Sequence, residues 1–300
     1  MAGSWPKMAD LFRGIVDIIE NRQTRGQAVG TSTLGMETVN LHGIVEGAGD
    51  EELVLLHPIG LDNSFWGALP SMLGRGRRIL RLDLRGFGGS PMGAGAAPIE
   101  AYAADVHQAI RRYGLEKPTV LGLSFGGMIA QTLALDFPGS VSKLIACGCP
   151  GGIPAEARDA LRERGLAAER GGMDSVVPAT IERWFTPGFV DNPVVERVRE
   201  RLRTDSVRAW SEGWQAISHF NALPRLGSID VPTLVVAGEH DLAAPPAAMA
   251  TIAKAVPGAR FVILAGAPHM MQLETSGLFI ETIGDFLAAG PSARRDGLHG

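Results

Sequence analysis

Residues 120–131 read VLGLSFGGMIAQ, one serine among three glycines, placed between an apolar run and a stretch of helical composition. Glycine weakens strands and helices alike, because it loses the most backbone freedom on folding. Its concentration at such a junction marks a sharp turn of the backbone. Gly122-Leu123-Ser124-Phe125-Gly126 has the form G-x-S-x-G. In that pattern a strand turns into a helix within a few residues, with the serine at the strained apex. Larger side chains at the flanking positions would clash. The helix N-terminus behind the serine favours negative charge developing near it. Ser124 is thus a candidate nucleophile. The plainer alternative is a tight strand-to-helix turn whose serine only caps the helix.

Outward from that turn, short apolar runs alternate with helical periodicity. Strands are expected at 52–58 (ELVLLHP), 78–84 (RILRLDL), 119–123 (TVLGL), 141–147 (VSKLIAC), 233–238 (TLVVAG) and 261–266 (FVILAG). Helices are expected at 98–113, bracketed by Pro98 and Gly114, at 125–137, stopped by Pro138, and near 246–256 and 272–288. This alternation implies an α/β protein with a mostly parallel central sheet flanked by helices. Residues 36–47 (METVNLHGIVEG) read as antiparallel edge strands. Residues 150–225 break the rhythm. They are helix-rich, contain no lysine and hold three of the five tryptophans. They are expected to form a helical cap inserted between two parts of the sheet domain, 36–149 and 226–288. Eleven arginines balance eleven acidic residues there, so the cap as a whole is no anion funnel.

The termini add two further segments. Met8, Leu11, Phe12, Ile15 and Ile19 recur at helical spacing within 7–20. With the linker up to residue 35 they form an N-terminal amphipathic unit. Its mixed charge argues against a membrane surface, and a subunit interface is the favoured reading, which would make the protein a homo-oligomer. Residues 289–300 read as a polar, mobile tail.

The balance of 28 basic against 32 acidic residues gives a net charge of −4 in 300 residues, which speaks against nucleic acid and anionic membranes as partners. Cys147 and Cys149, one residue apart, make a poor bridge and read as small buried thiols. No apolar run reaches the 18 residues of a membrane span. Asp10, Arg13 and Asp17 interrupt the N-terminus, which is no secretory signal. A cytoplasmic protein is the default expectation.

A serine hydroxyl is a weak nucleophile until a base takes its proton. Of the seven histidines, His42 lies in an early edge strand, His107 in a helix, His219 in the cap and His299 in the tail. His269, in AGAPHMMQLE, follows the last strand and so reaches the carboxyl edge of the sheet, where Ser124 also lies. It is the candidate base. The acid that orients it is expected at Asp241, delivered to the same edge by VVAGEHD, with Glu239 as its rival closer to the strand end. The strand ending near Cys147 leads into CGCPGG, which offers no carboxylate. The oxyanion donors are expected to be the N–H groups of Phe125 and Ile59, the latter in HPIG, where Pro58 has no N–H to give. His57 is expected to brace that loop through its ring. Asp83 and Arg85, in RLDLRGFGGS, are expected to pair and hold the glycine-rich loop.

HPIG, DLRGFGGS, GLSFGG, GEHD and GAPHMMQLE occur in the order found in the α/β-hydrolase superfamily, which the chain resembles over about 36–288. HPIGLDNSFW, GLSFGGMIAQ and ERWFTPGF (182–189) are similar to the 3-oxoadipate enol-lactonases in particular. The resemblance implies a Ser124–Asp241–His269 triad that hydrolyses a small ester or lactone through an acyl-enzyme, with no metal or organic cofactor. Trp66, which follows the HPIG loop, and Trp184, Phe185, Trp210 and Trp214 in the cap are candidate substrate contacts in an apolar, aromatic pocket, or else simply cap core. A carboxylated lactone would also want an arginine, for which Arg183 and Arg158 are candidates. The competing readings are a broad carboxylesterase, a carbon–carbon bond hydrolase of ring-fission products, and a non-catalytic binding protein on the same scaffold. A haloalkane dehalogenase is disfavoured, because it needs a carboxylate where Ser124 stands.

Overall fold

The computed structural model describes residues 29–31 and 37–289. The amphipathic stretch 7–20, most of the linker and the tail from 290 lie outside the described residues. Strands β1 (Val29–Thr31) and β2 (Glu37–Val39) pair antiparallel in a small separate ribbon. The main sheet has seven strands in the order β3-β5-β4-β6-β7-β8-β9. They are β3 (Gly43–Glu46), β4 (Ala48–Leu56), β5 (Arg75–Leu82), β6 (Thr119–Leu123), β7 (Lys143–Cys147), β8 (Thr233–Gly238) and β9 (Arg260–Leu264). Only β3 runs antiparallel, along the outer edge of β5. The edge expectation for 36–47 therefore holds for 43–46. Residues 37–39 leave the main sheet for β1, and the Val39 N–H is close enough to donate to Asp105 Oδ1 at 2.8 Å.

The central strands read as nearly unbroken apolar runs because both their faces are covered. Leu53–Leu56 and all of β6 and β8 are buried. On the outer strand β9, by contrast, Ile263 remains 49% exposed. Helices α1 (Leu69–Leu73), α2 (Ile99–Arg112) and α3 (Phe125–Asp136) follow β4, β5 and β6. Between β7 and β8 the chain runs through α4 (Arg158–Gly171), α5 (Val177–Trp184), α6 (Pro193–Arg203) and α7 (Val207–His219). Then α8 (Pro246–Ala255) leads into β9. The last helical stretch is not continuous as expected. It is divided into α9 (Met271–Glu274) and α10 (Ser276–Ala288) at Thr275, whose backbone leaves the helical region while its Oγ1 donates to Met271 O at 3.0 Å.

Register brings the carboxyl ends of the parallel strands level. Leu56 stands beside Leu82 and Gly122, Leu123 beside Cys147, and Gly238 beside Leu264. Every loop that leaves these ends therefore opens on one edge of the sheet.

Candidate active site

Ser124 is the one non-glycine with positive φ among the described residues, at φ 56° and ψ −116°. Such a conformation persists only where the surroundings enforce it. Here β6 must become α3 without a spacer. A Cβ on Gly122 would lie 2.1 Å from the Gly126 carbonyl oxygen, and one on Gly126 would lie 2.1 Å from that of Leu56. The glycines thus let the turn close on itself and let the end of β4 press against it. Ser124 N–H donates to Cys147 O at 2.8 Å, tying the apex to β7.

His269 Nε2 lies 3.0 Å from Ser124 Oγ, and His269 Nδ1 lies 2.9 Å from Asp241 Oδ2. The tautomer that satisfies both contacts carries its proton on Nδ1 and accepts the serine proton at Nε2. Asp241 Oδ1 accepts from the N–H groups of Ala243 and Ala244, at 2.7 and 2.8 Å. Both His269 and Asp241 are buried. Glu239, the rival acid, is turned away. Its Oε2 accepts from Gly266 N–H at 2.7 Å and so fastens the loop that carries His269. Gly148, in CGCPGG, passes beside this pair. A Cβ there would come within 3.2 Å of Asp241 Oδ2 and 3.4 Å of His269 Nδ1.

The loop after β4 runs directly alongside. His57 is fully buried and uses both ring nitrogens. Nδ1–H donates to Pro58 O at 2.7 Å, and Nε2 accepts from Leu84 N–H at 2.9 Å. Burial pushes its pKa below the ordinary histidine value, which keeps the ring neutral as that bonding requires. The ring braces the loop that carries Ile59. Neither the Ile59 N–H nor the Phe125 N–H is engaged by a described carbonyl or side chain.

Asp83 and Arg85 do not pair with each other, contrary to expectation. Each finds partners of its own on a different element. Arg85 forms a buried bidentate pair with Asp105, at 2.7 and 2.9 Å. Asp83 accepts from Asn63 N–H and Nδ2, from Gly89 N–H and from His42 Nδ1.

The candidate substrate residues divide. Trp184 lies near His269, with its ring centroid 6.3 Å from that of the imidazole, and its carbonyl accepts from Met270 N–H at 3.0 Å. Trp210 is cap core. It is 1% exposed, and its indole N–H donates to Arg164 O at 3.1 Å. Trp214 packs edge-on against Trp210 and carries the Arg164 guanidinium over its ring at 4.7 Å. Trp66 is buried at the end of the turn 63–66. Arg183 bends back to Ala179 O, and nothing brings Arg158 to His269.

Comparison with known proteins agrees with this architecture. The chain is 28% identical to 3-oxoadipate enol-lactonase 2 of Acinetobacter baylyi over 212 residues, 70% of this chain and 79% of that one. The crystal structure of the enol-lactonase from Burkholderia xenovorans LB400 superposes with a TM-score of 0.79 at 29% identity, covering 87% of this chain and all of the other. A thermophilic esterase from Thermogutta terrifontis gives a TM-score of 0.77 at 25% identity, over 88% of this chain and 98% of its own. Residues 39–276 match the family described as alpha/beta hydrolase fold. With the strand order, the turn at Ser124 and this match in agreement, the chain belongs to the α/β-hydrolase family.

Proposed function

We propose that this protein is a serine hydrolase that opens a small ester or lactone through an acyl-enzyme, most like a 3-oxoadipate enol-lactonase. The observation that carries the reading is the unbroken hydrogen-bond chain from Ser124 Oγ through His269 to Asp241, on a strained turn beside two free backbone N–H groups. Ser124 Oγ attacks the carbonyl carbon while His269 Nε2 takes its proton. Asp241 stabilises the imidazolium that results. The N–H groups of Ile59 and Phe125 receive the oxyanion, and loss of one such donor typically removes roughly 3 kcal/mol of transition-state stabilisation. His269 then protonates the leaving oxygen. In an enol-lactone that oxygen stays tethered and becomes a ketone on tautomerisation. Water, deprotonated by His269, attacks the acyl-enzyme, and Ser124 regains its proton as the acid departs. This reading places the protein in aromatic-compound degradation, acting on a small molecule in the cytoplasm.

The test is kcat/KM for 3-oxoadipate enol-lactone beside 4-nitrophenyl acetate, with Ser124→Ala as the blank. A preference for the lactone of a hundredfold or more, about 2.7 kcal/mol, is expected. Turnover of the simple ester alone would make the protein a broad carboxylesterase. Failure of a fluorophosphonate to label Ser124 would leave only a binding protein on this scaffold.

A further inference from the structure

The seam between the cap and the sheet domain holds a cavity of about 290 Å³, lined by Ile99 of α2 and by Ala216 and Phe220 at the end of α7. One helical turn farther along stand Tyr102, three residues after Ile99, and Glu212, four residues before Ala216. Residues at that spacing share a helix face. Neither Tyr102 nor Glu212 belongs to a motif read from the sequence.

Each carries a buried polar atom with no hydrogen-bond partner among the described residues. Tyr102 is 1% exposed, and its hydroxyl bonds to none of them. Glu212 gives Oε1 to Arg208 Nε at 2.7 Å, while its buried Oε2 accepts from none. Buried polar atoms are nearly always bonded, so an orphan calls for a partner. Burial raises the pKa of Tyr102 above the ordinary tyrosine value. The Arg85 cation works against that rise, and the Glu212 and Asp105 carboxylates add to it. The hydroxyl therefore remains a donor, and Glu212 is close enough for its charge to act on it.

Both residues adjoin the catalytic edge. The Tyr102 ring meets the Phe125 ring edge-on, with centroids 4.9 Å apart. Gly213, next to Glu212, packs so closely that a Cβ there would meet Ile59 Cδ1 at 2.8 Å. An empty donor beside Phe125 and an empty acceptor one residue from the Ile59 contact thus lie at the two residues whose N–H groups would receive the oxyanion.

We propose that Tyr102 Oη and Glu212 Oε2 form a hydroxyl subsite, which selects esters or lactones carrying a free alcohol near the reacting carbonyl. The proposal rests on the hydrolase reading above and adds a substrate class to it. The chemistry of the pair narrows the ligand. One atom must accept from a phenol and donate to a carboxylate at once. An alcohol oxygen does both. A carboxylate or a ketone has nothing to donate, and an ammonium cannot accept. Such a pair also rejects the analogue without the hydroxyl, because both atoms are then left unbonded. The subsite acts on binding and orientation. It takes no part in bond making.

The test measures kcat/KM for lactone pairs that differ by one hydroxyl. They are 3-hydroxy-γ-butyrolactone beside γ-butyrolactone, and 5-hydroxymethyl-γ-butyrolactone beside its 5-methyl counterpart. The quantity read is the ratio within each pair. In wild type at least one hydroxylated lactone is expected to be favoured tenfold or more. Tyr102→Phe, which removes only the orphan oxygen, should bring that ratio near one without lowering the melting temperature. Glu212→Leu should cut it at least fivefold, and Glu212→Gln, which keeps an acceptor, less. Wild-type ratios near one in both pairs, the result if water alone bridges the two atoms, would overturn the subsite. So would a ratio unchanged in both Tyr102→Phe and Glu212→Leu. Fluorophosphonate labelling of Ser124 reports separately on the hydrolase reading. No labelling removes that reading, whereas labelling with ratios near one removes the subsite alone. If the enzyme labels but turns over no lactone, protection of Ser124 from the label by the same lactones decides. Stronger protection by a hydroxylated lactone that is lost in Tyr102→Phe keeps the subsite, and equal protection within both pairs refutes it.

Discussion

Asp241 commits its two oxygens to different tasks. Oδ1 is held by the N–H groups of Ala243 and Ala244, and Oδ2 faces His269 Nδ1. The two amides can only donate, so they require an acceptor at Oδ1. This makes the outcome of Asp241→Asn specific. The amide oxygen of asparagine must take the Oδ1 place, which turns its NH2 toward His269. The histidine must then accept at Nδ1 and carry its proton on Nε2, where it can no longer receive one from Ser124. Turnover should fall by a factor on the order of 10⁴, the size of effect that a wrong tautomer produces in such triads. The shape is retained, so the melting temperature should change little. Steady-state kinetics beside a thermal melt check both halves. Gly148 serves the same pair by omission, since any side chain there would press on the carboxylate and ring.

The loops that leave the sheet edge are gathered by Asp83, directly after β5. Its carboxylate joins Asn63, in the loop after β4, to Gly89 in the glycine-rich loop and to His42 before β3. Burial alone would raise its pKa, but the His42 hydrogen bond and the Gly89 and Asn63 amides outweigh burial and hold it at about 2, against an ordinary 3.8. The sign follows from proton uptake. As pH falls, the unfolded chain protonates Asp83 near 3.8 while the folded protein resists until about 2. The stability contributed is present above pH 4 and drains away between about pH 4 and pH 2, amounting to about 2 kcal/mol. The stability gap between wild type and Asp83→Asn, measured by urea unfolding, should therefore shrink by that amount between pH 5 and pH 2. The same loops show what a sequence can and cannot disclose. Strand and helix positions were legible because periodicity is local. Ser124, Asp241 and His269 were legible because a parallel sheet sends all its loops to one edge. The partners of Asp83 and Arg85 were not. They sit 41, 20 and 6 residues from Asp83 and 20 from Arg85, and only tertiary placement decides among equally suitable donors.

Across the whole molecule, the cap is fastened to the sheet domain at points that bear on the site. Glu274, downstream of His269, accepts from Thr186 N–H and from its hydroxyl, and Met270 N–H donates to Trp184 O. On the other side Arg201 of α6 bridges Asp62, in the loop after β4 that carries Ile59, and Asp205, each at 2.6 Å. The Asp205 side chain is 1% exposed, and burial pushes its pKa up to about 7 despite Arg201. Arg201→Met leaves that carboxylate buried without its cation, a change that destabilises by about 3 kcal/mol when the charge must remain. Below its raised pKa the carboxyl can shed the charge by taking a proton, so the loss should be smaller at pH 6 than at pH 8. Adding Asp205→Leu removes the stranded charge, and the double variant should recover most of the stability. Asp62, being nearer to water, tolerates the loss. Because the bridge also sets where α6 and α7 rest on Ile59 and Gly60, Arg201→Met should raise KM for a wild-type substrate even at pH 6, where stability is least affected. Equal destabilisation at both pH values would mean that Asp205 stays ionised in the variant, and an unchanged KM would mean that this clasp holds the cap without positioning it.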